Sequence, residues 1–333
     1  MSDRIRWGLL STARINDALI SPIRASDRSE LRAVASRDLD KARAYAAQKE
    51  IPVAHGSYEA LLADPEIDAV YISLPNSLHA EWAIAAAEAG KHILCEKPMA
   101  VTLDEFDAMA AAAKKNNVTL FEAFMYLHHP QTRRAQAIIA EGQLGRVQTI
   151  QVWFHFYLPP ENAQNIRLNA TLSGGSLWDV GVYPNSLAIT MAGQGAPQTV
   201  VASQIIGESG VDVAMRGQLH FANDVVAQIS SGFRTPFREG AHIVGDAGIL
   251  TIPEPWKPGL KGVDSVMTLT KRDGSSEQIV TPAVDPYLCE VQAMEACILD
   301  GAPPVVSLEQ SRVFLQSVLA LYESAANGKM VAL

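Results

Sequence analysis

Short apolar runs alternate with helical patterns up to about residue 125, and this alternation limits the folds open to the chain. Strands alternating with helices form βαβ units around a parallel sheet. The runs are nearly all apolar, which is typical of a sheet covered on both faces. The predicted strands are 5–10, 31–36, 69–74, 92–95 and 119–123, and the predicted helices are 13–24, 39–48, 77–89 and 102–115. We therefore predict a doubly wound α/β domain over residues 1–125.

After about residue 145 the pattern changes to successive strands. Between Val211 and Phe221, apolar residues alternate with Asp212, Arg216, Gln218 and His220. This period of two predicts a strand with one solvent-exposed face. Further strands are predicted at 147–158, 199–206, 225–233, 242–244 and 266–271, followed by a helix at 308–326. The sequence thus predicts a second, α+β domain over 126–333, with a largely antiparallel sheet.

Composition and charge exclude several classes of protein. The 333 residues are 48% hydrophobic, which supports a large core and argues against disorder. A net charge of −9 argues against nucleic-acid binding, which normally needs a basic balance. Three cysteines without paired spacing predict neither a disulfide framework nor a metal site. Without a signal-peptide pattern or a membrane-spanning run, we expect a soluble cytoplasmic protein.

A loop with a single glycine follows the first predicted strand. Trp7 to Asn16 reads WGLLSTARIN, where the usual dinucleotide fingerprint has three glycines. Backbone N–H groups and the helix dipole bind the phosphate, and glycines only let the backbone come close. Small residues can replace them in part; the alternative is an ordinary turn capped by a hydroxyl. The predicted cofactor contacts here are Ser11, Thr12, Ala13, Arg14 and Ile15.

The end of the second predicted strand indicates which dinucleotide is bound. An NAD-binding fold usually has an acidic residue there, to hold the ribose 2′-OH. This chain has Ser36 and Arg37, a hydroxyl and a guanidinium that suit a 2′-phosphate. Asp38 is predicted to cap the next helix. We expect NADP rather than NAD; the alternative is that Arg37 is a solvated surface charge.

Four motifs point to a known family. LPNSLH (74–79) and CEKP (95–98) each follow a predicted strand, and GGSLWDVGVY (174–183) and GDAG (245–248) lie in the second half. Together they resemble the signatures of the Gfo/Idh/MocA oxidoreductases. The resemblance implies an N-terminal Rossmann domain and a C-terminal domain with a large, mostly antiparallel open sheet. It also implies further cofactor contacts at Leu74, Pro75, Asn76, His79, Glu96 and Lys97.

The same motifs supply candidate catalytic residues. Asp179 and Tyr183 are spaced i, i+4 and share one face if the segment is helical. Gly174 and Gly175 are expected to let the chain pass close to a ligand. By the resemblance, Tyr183 exchanges the proton, Lys97 bonds the reacting oxygen and lowers the pKa of Tyr183, and Asp179 binds a neighbouring hydroxyl. The alternatives are a helix cap for Asp179, a packing aromatic for Tyr183 and a surface charge for Lys97.

Two further residues are candidate substrate contacts. Tyr126 ends a segment that resembles one in the family, but Leu127 replaces the arginine that often follows there. Arg167 precedes the glycine pair. The alternatives are a core role for Tyr126 and a solvated charge for Arg167.

We predict an NADP-dependent oxidoreductase that transfers a hydride between nicotinamide and a sugar or related cyclic polyol or carbonyl. Two alternatives stay open: a glycoside-cleaving enzyme with tightly bound NAD that works by transient oxidation, and a non-catalytic NADP-sensing protein. The outer face of the second sheet needs to be covered, and the resemblance implies pairing through it. We therefore expect a homodimer or homotetramer, with no nucleic-acid or membrane partner.

Overall fold

The computed structural model describes residues 4–162 and 164–333, which form two compact units. The first unit comprises the chain up to Met125 together with Tyr287–Leu308, and the second comprises Tyr126–Pro286 together with Glu309–Leu333. From the sequence we expected residues 126–333 to form the second domain. The chain instead returns to the first unit for one late segment.

Among the described residues of the first unit, six parallel strands pair in the order β3-β2-β1-β4-β5-β6, and helices follow most of them. The strands are β1 (Ile5–Leu10), β2 (Ser29–Ala35), β3 (Val53–His55), β4 (Ala69–Ile72), β5 (His92–Cys95) and β6 (Leu120–Glu122). The helices are α1 (Asn16–Ala25), α2 (Leu39–Lys49), α3 (Tyr58–Leu62), α4 (His79–Glu88) and α5 (Leu103–Lys115). This strand order is that of the doubly wound nucleotide-binding fold, which confirms the predicted Rossmann architecture.

Local sequence explains where these helices begin. Asp38 accepts bonds from the backbone N–H groups of Asp40 and Lys41, so it caps α2 as predicted. Thr102 caps α5 in the same way, bonding the N–H of Glu105. The helix predicted at 13–24 begins only at Asn16, and the helix predicted at 77–89 begins with a short 3₁₀ turn.

In the second unit a long open sheet packs against helices. Its elements are α6 (Met125–His128), α7 (Pro130–Ala140), β7 (Val147–Tyr157), α8 (Val182–Ala192), β8 (Thr199–Ile206), β9 (Asp212–His220), β10 (Val226–Gly232), β11 (Arg234–Gly245), β12 (Gly248–Ile252), β13 (Ser265–Lys271) and β14 (Ser276–Thr281). The chain continues through α9 (Pro286–Asp300) to α10 (Leu308–Asn327) and β15 (Val331–Ala332). Nine described strands pair as β14-β13-β12-β11-β7-β10-β9-β8-β15. Only the β7–β10 pair among them is parallel, so the mostly antiparallel prediction is confirmed.

Helix α9 was not predicted, and polar contacts tie it to the first unit. The indole N–H of Trp7 donates to Ser29 Oγ at 2.9 Å, and Ser29 donates to the Glu295 carboxylate at 2.5 Å. Arg28 pairs with Asp300 at the end of the helix. The Ser29–Glu295 and Arg28–Asp300 contacts join residues more than 250 positions apart, which no local pattern signals.

The alternation in β9 was only partly interpreted correctly. Arg216 and Gln218 are exposed as predicted, because their side chains point to the wet face. Asp212 is buried, with 2% of its surface exposed. It lies at the first position of the strand, where its carboxylate meets a helical segment described below.

Candidate active site

The glycine-poor loop turns between β1 and α1, and Ser11 takes the conformation normally left to glycine. Its φ is 143°, in a region that L-residues seldom adopt. The loop follows β1, whose neighbours are β2 and β4, so it lies where the strand order reverses. Ligands of open α/β sheets bind at such reversal points.

Buried hydrogen bonds hold this turn in place of glycine. Ser11 Oγ lies 2.7 Å from Ser73 Oγ, and Ser73 donates to Asn16 Oδ1 at 2.6 Å. The amide of Asn16 donates back to the Ser11 carbonyl at 2.9 Å, and Ser11 Oγ accepts the N–H of Ala13. Ser73 follows β4, so the network bridges the two strands that flank the reversal point. Side-chain bonds therefore offset the backbone strain at Ser11.

The remaining loop residues precede the first helical hydrogen bonds. The N–H groups of Asn16 and Asp17 bond the carbonyls of Ala13 and Arg14. The amides of Arg14 and Ile15 come before these bonds, in the part of a helix that attracts anions. Thr12, Ala13 and Ile15 are half-buried, whereas Arg14 is exposed.

Beyond β2, Asp38 is engaged at the N-terminus of α2, whereas Arg37 is exposed. Asp38 caps α2 with its carboxylate. The side chain of Arg37 is exposed and lies near the Tyr58 hydroxyl, where its charge partly offsets the rise that burial causes in the pKa of Tyr58. Ser36 is buried, and its Oγ accepts the N–H of Asp38 at 3.3 Å. A guanidinium, and no free carboxylate, is thus presented at the end of β2.

The side chain of His79 holds the segment after β4 in place and does not project outward as a ligand contact would. Both ring nitrogens lie 2.8 Å from backbone carbonyls, Nδ1 from Pro98 and Nε2 from Leu74. The ring is fully buried, and burial lowers the pKa of His79. His79 therefore links the two loops, and the residues left facing outward are Pro75 and Asn76, which are half-buried.

Glu96 and Lys97 follow β5 at the carboxyl edge of the same sheet. The hydroxyl of the buried Tyr71 donates to Glu96 Oε1, and the pKa of Tyr71 is raised well above its usual value by burial and by this carboxylate. The Lys97–Pro98 peptide is cis, and Lys97 is half-buried. Glu96 is thus held by a neighbouring strand, and Lys97 lies in the turn that follows it.

In the second unit, Asp179 and Tyr183 lie on consecutive turns of one helical segment. A π-helical turn, Leu177–Gly181, leads directly into α8. The two side chains are four positions apart, close to one turn in either helix type, so they project from similar directions. Arg167 Nε donates to Asp179 Oδ2 at 2.7 Å, and its guanidinium lies 6.0 Å from the Phe156 ring centre. Arg167 therefore forms an ion pair with Asp179 and is not an unpaired, solvated charge.

The space beside the two glycines before this segment is filled by other atoms of the protein. A Cβ at Gly174 would lie 2.6 Å from the Arg167 carbonyl. Gly175 has a φ of 127°, and a Cβ there would collide with the Asp212 carboxylate. The expectation that the pair approaches a ligand is thus not what these contacts show. They bring the chain against Arg167 and Asp212 instead.

Asp212 anchors the start of the π-helical turn. Its carboxylate accepts the hydroxyls of Ser176 at 2.6 Å and Tyr322 at 2.7 Å, and the N–H of Leu177 at 2.9 Å. Burial raises the pKa of Asp212, and these donors lower it in part. Sequence reasoning missed this residue, because alternation along β9 placed it on the wet face.

Tyr183 packs in a cluster of aromatic rings. Its ring centre lies 5.8 Å from that of Tyr126, 5.6 Å from Phe154 and 5.5 Å from Trp256. Tyr126 is fully buried, and its hydroxyl bonds Ser186 on α8 at 2.8 Å. Tyr126 thus supports Tyr183 from inside the second unit. Trp256 was not singled out from sequence, although an aromatic within the proline-rich run PEPWKP was a visible signal.

Two further findings concern only the residues that the structure describes. No group of three histidine, cysteine or acidic side chains in this part of the chain is placed to hold a metal ion. In the same residues, no helix has the length and apolar character needed to cross a membrane.

Two sequence models of one family match the chain. Residues 5–124 match the model described as an oxidoreductase family with an NAD-binding Rossmann fold. Residues 132–251 match the GFO/IDH/MocA C-terminal domain. The chain belongs to the Gfo/Idh/MocA family of oxidoreductases. The resemblance inferred from the motifs is confirmed.

Individual relatives are sugar and diol enzymes. D-xylose 1-dehydrogenase (NADP(+)) 2 of Haloferax volcanii is 38% identical and aligns over 98% of this chain and 99% of its own length. Trans-1,2-dihydrobenzene-1,2-diol dehydrogenase of Xenopus tropicalis is 33% identical over 76% of this chain and 77% of its own. A 3-ketoreductase from Actinomadura kijaniata, solved with NADP and TDP-benzene, superposes with a TM-score of 0.89 at 30% identity, covering 96% of this chain and 98% of that one.

Proposed function

We propose that this chain is an NADP-dependent oxidoreductase that transfers a hydride between nicotinamide and a sugar or related cyclic polyol. The observation that carries the proposal is the helical segment on which Arg167 holds Asp179 one turn before Tyr183. Oxidation of an alcohol needs such a proton-exchanging group beside a group that orients the substrate. The NADP and sugar specificities named for the relatives support the same conclusion.

The first unit has features that fit NADP. The turn at Ser11 brings the loop to the reversal point of the sheet, and the amides of Thr12, Arg14 and Ile15 would bind the pyrophosphate. Ser36 and Arg37 would hold the 2′-phosphate, because Asp38 is occupied as a helix cap. Leu74, Pro75 and Asn76 would line the nicotinamide side, with His79 and Glu96 shaping the loops. NADP, when bound, supplies the hydride chemistry.

The chain's own residues would handle the substrate and its proton. The Tyr183 hydroxyl exchanges a proton with the reacting oxygen, Lys97 donates a hydrogen bond to that oxygen, and Asp179 accepts a bond from a neighbouring hydroxyl. Since Asp179 neutralises Arg167, the site favours a neutral polyol over a phosphorylated sugar.

The second unit also supports assembly into a homodimer or homotetramer. The face of its sheet that carries Gln151, Trp153, Arg216, Gln228 and His242 forms a depression of about 760 Å³. Trp153 packs under Arg238 and against His242 there, a mixture of aromatic and arginine side chains that is enriched at interfaces. Light scattering should give two or four times the 35.9 kDa chain mass; a monomer would refute this assembly.

The first test is titration with NADPH and, separately, NADH, followed by nicotinamide fluorescence. Much tighter binding of NADPH is expected, and Arg37→Ala should remove most of the difference. Equal binding of the two would refute the 2′-phosphate assignment. If neither binds and denaturation releases NAD, the protein is the glycoside-cleaving alternative. If NADPH binds but no sugar or dihydrodiol reacts, it is the sensor.

The catalytic assignment predicts a large loss in two variants. Tyr183→Phe and Lys97→Met should each lower kcat/KM by about 10²-fold or more, because the first loses the proton exchange and the second loses the hydrogen bond to the reacting oxygen. NADPH affinity in Tyr183→Phe should stay near that of the parent. Tyr157→Phe, on an exposed strand end, is the matched control. A kcat/KM within about threefold of the parent in either variant would show that the assignment is wrong.

A further inference from the structure

Two strands of the second unit place an acidic and two aromatic side chains on one face. In the β7–β11 pair, Glu239 lies opposite Phe154. Side chains of directly opposed residues share a face and lie within contact distance. Phe237 lies in the irregular stretch between Arg234 and Arg238, where the register shifts, and its ring contacts that of Phe154. Arg238, between them, points to the other face and covers Trp153.

The aromatic residues on this face extend from Tyr183 to solvent. Phe154 lies 5.6 Å from Tyr183 and stacks on Trp256 at 5.6 Å with 20° between the rings. Phe237 meets Phe154 edge to face at 6.2 Å. Phe237 is 66% exposed, which is unusual for a phenylalanine, a residue type that is mostly buried. A shelf of apolar ring surface therefore begins at the proposed catalytic tyrosine and ends in an accessible aromatic.

Glu239 forms the polar edge of this shelf. The backbone N–H of Trp256 lowers the pKa of Glu239 in part, so the carboxylate lies near the tryptophan loop. Partial burial, together with the charge of Glu254, raises the pKa of Glu239 to about 7, although Lys257 and Lys261 act in the opposite direction. A carboxylate that is partly desolvated makes strong hydrogen bonds to hydroxyl donors.

We propose that Phe237, Phe154 and Glu239 bind the part of a sugar ring that does not react. The apolar C–H face of the ring packs on the two phenylalanines, and adjacent hydroxyls donate to Glu239. This proposal rests on the proposed function, and it names the substrate class as a cyclic sugar with free hydroxyls remote from the reacting carbon. A site built to bond a hydroxyl rejects analogues that lack it much more strongly than an apolar pocket rejects an added methylene.

The test compares ring sugars with a small carbonyl that cannot reach the shelf. We would measure oxidation of D-xylose and D-glucose with NADP⁺, reduction of methylglyoxal with NADPH, and NADPH affinity. The variants are Glu239→Gln and Phe237→Ala, with Phe237→Trp to restore an aromatic surface. The controls are Glu277→Gln, an exposed acid elsewhere in the sheet, and Tyr157→Ala, an exposed aromatic in β7.

For the sugars, kcat/KM should fall about tenfold or more in Glu239→Gln and Phe237→Ala, mainly through KM. Methylglyoxal reduction and NADPH affinity should change by less than about threefold, and both controls should match the parent. Phe237→Trp should retain most of the sugar activity, since it keeps an aromatic face. Such selectivity does not arise from a purely structural defect, which would affect all substrates.

Other outcomes would overturn the proposal. If the parent oxidises sugars and both variants retain that activity, the subsite is wrong while the proposed function stands. Equal losses for methylglyoxal and sugars would place the residues at the reacting centre or in folding. A change of oligomeric state in Phe237→Ala would identify an interface between copies instead. If the parent binds NADPH but neither binds nor oxidises a sugar, both the subsite and the proposed substrate class fail.

Discussion

The β1–α1 loop and the Gly174–Gly175 passage use small residues in opposite ways. In the loop, where a phosphate-binding turn is expected, Ser11 adopts a φ of 143° and keeps it through a buried hydroxyl network. In the passage, Gly175 adopts a φ of 127°, and the space beside it is filled by the Asp212 carboxylate. The turn expected to need glycine thus uses serine, and the glycines expected to face a ligand face the protein.

The difference shows that the surroundings of a small residue decide its role. A glycine marks a place where a Cβ does not fit, but the sequence does not tell what occupies that place. A serine can take a strained conformation when its hydroxyl finds buried partners that offset the strain. Predictions for the two regions therefore follow from their contacts and not from their residue types.

The largest effect is expected at Gly175. In Gly175→Ala, the methyl group combines positive-φ strain with a collision against Asp212, and we expect a loss of about 4 kcal/mol in the free energy of unfolding. Gly193→Ala is the matched control: its φ is 64°, but nothing lies within 4 Å of its Cβ position, and we expect a loss of about 1 kcal/mol. Denaturant unfolding measures both. Equal losses in the two variants would show that backbone strain alone, and not the collision with Asp212, lowers the free energy of unfolding.

A second contrast between the units concerns their buried histidines. In the first unit, carbonyls at both nitrogens of His79 favour its proton and partly offset the effect of burial on its pKa. In the second, burial and then the charge of Arg133 lower the pKa of His128 from 6.5 to about 4. Between these two pKa values, His128 is protonated in the unfolded chain but neutral in the folded chain. Stability from His128 is therefore complete above pH 6.5 and is lost as the pH falls towards 4.

At pH 5 this loss amounts to about 2 kcal/mol. Denaturant unfolding of the parent and of His128→Gln at pH 7 and pH 5 measures it. The variant should lose less stability than the parent between these two pH values. If both lose the same amount, His128 is not the source of the acid sensitivity.

The smallest effect separates strain from hydrogen bonding at Ser11. Ser11→Ala keeps the Cβ in the unfavourable backbone conformation but loses the bonds to Ser73 and Ala13. Ser11→Gly loses the same bonds and also relieves the strain. We therefore expect Ser11→Ala to be less stable than Ser11→Gly by about 1 kcal/mol, and to bind NADPH more weakly. A glycine variant less stable than the alanine variant would show that Ser11 is not strained.

Much of the first unit was predictable because its signals are local. Strands 5–10 and 92–95 were predicted to the residue, since each is a short, mostly apolar run next to a helical pattern. The Asp38 cap was predictable for the same reason. The family and the candidate residues Lys97, Asp179 and Tyr183 came from motif resemblance, and their roles stay predictions until the variants are measured.

Several decisive features have no local signal. Asp212 is an even number of positions from Arg216 and Gln218, yet it is buried, because the β8–β9 register shifts between Ala214 and Asp212 and breaks the alternation. Ser176, Leu177 and Tyr322 then donate to its carboxylate. The pairing of Arg167 with Asp179 joins a short 3₁₀ turn to the π-helical turn. Neither contact follows from spacing, because both depend on where separate segments come together.

The sequence by itself determined the βαβ alternation, the strand-rich second half, the caps and the family motifs, because each depends on neighbours within a few residues. Tertiary structure decided what those motifs contact. In the tertiary structure, both ring nitrogens of His79 contact backbone carbonyls, and the Asp212 carboxylate packs against Gly175. Glu239 lies directly opposite Phe154 in the sheet. Burial and hydrogen-bond partners arise only when distant segments pack together, and they set the charge state and freedom of each side chain.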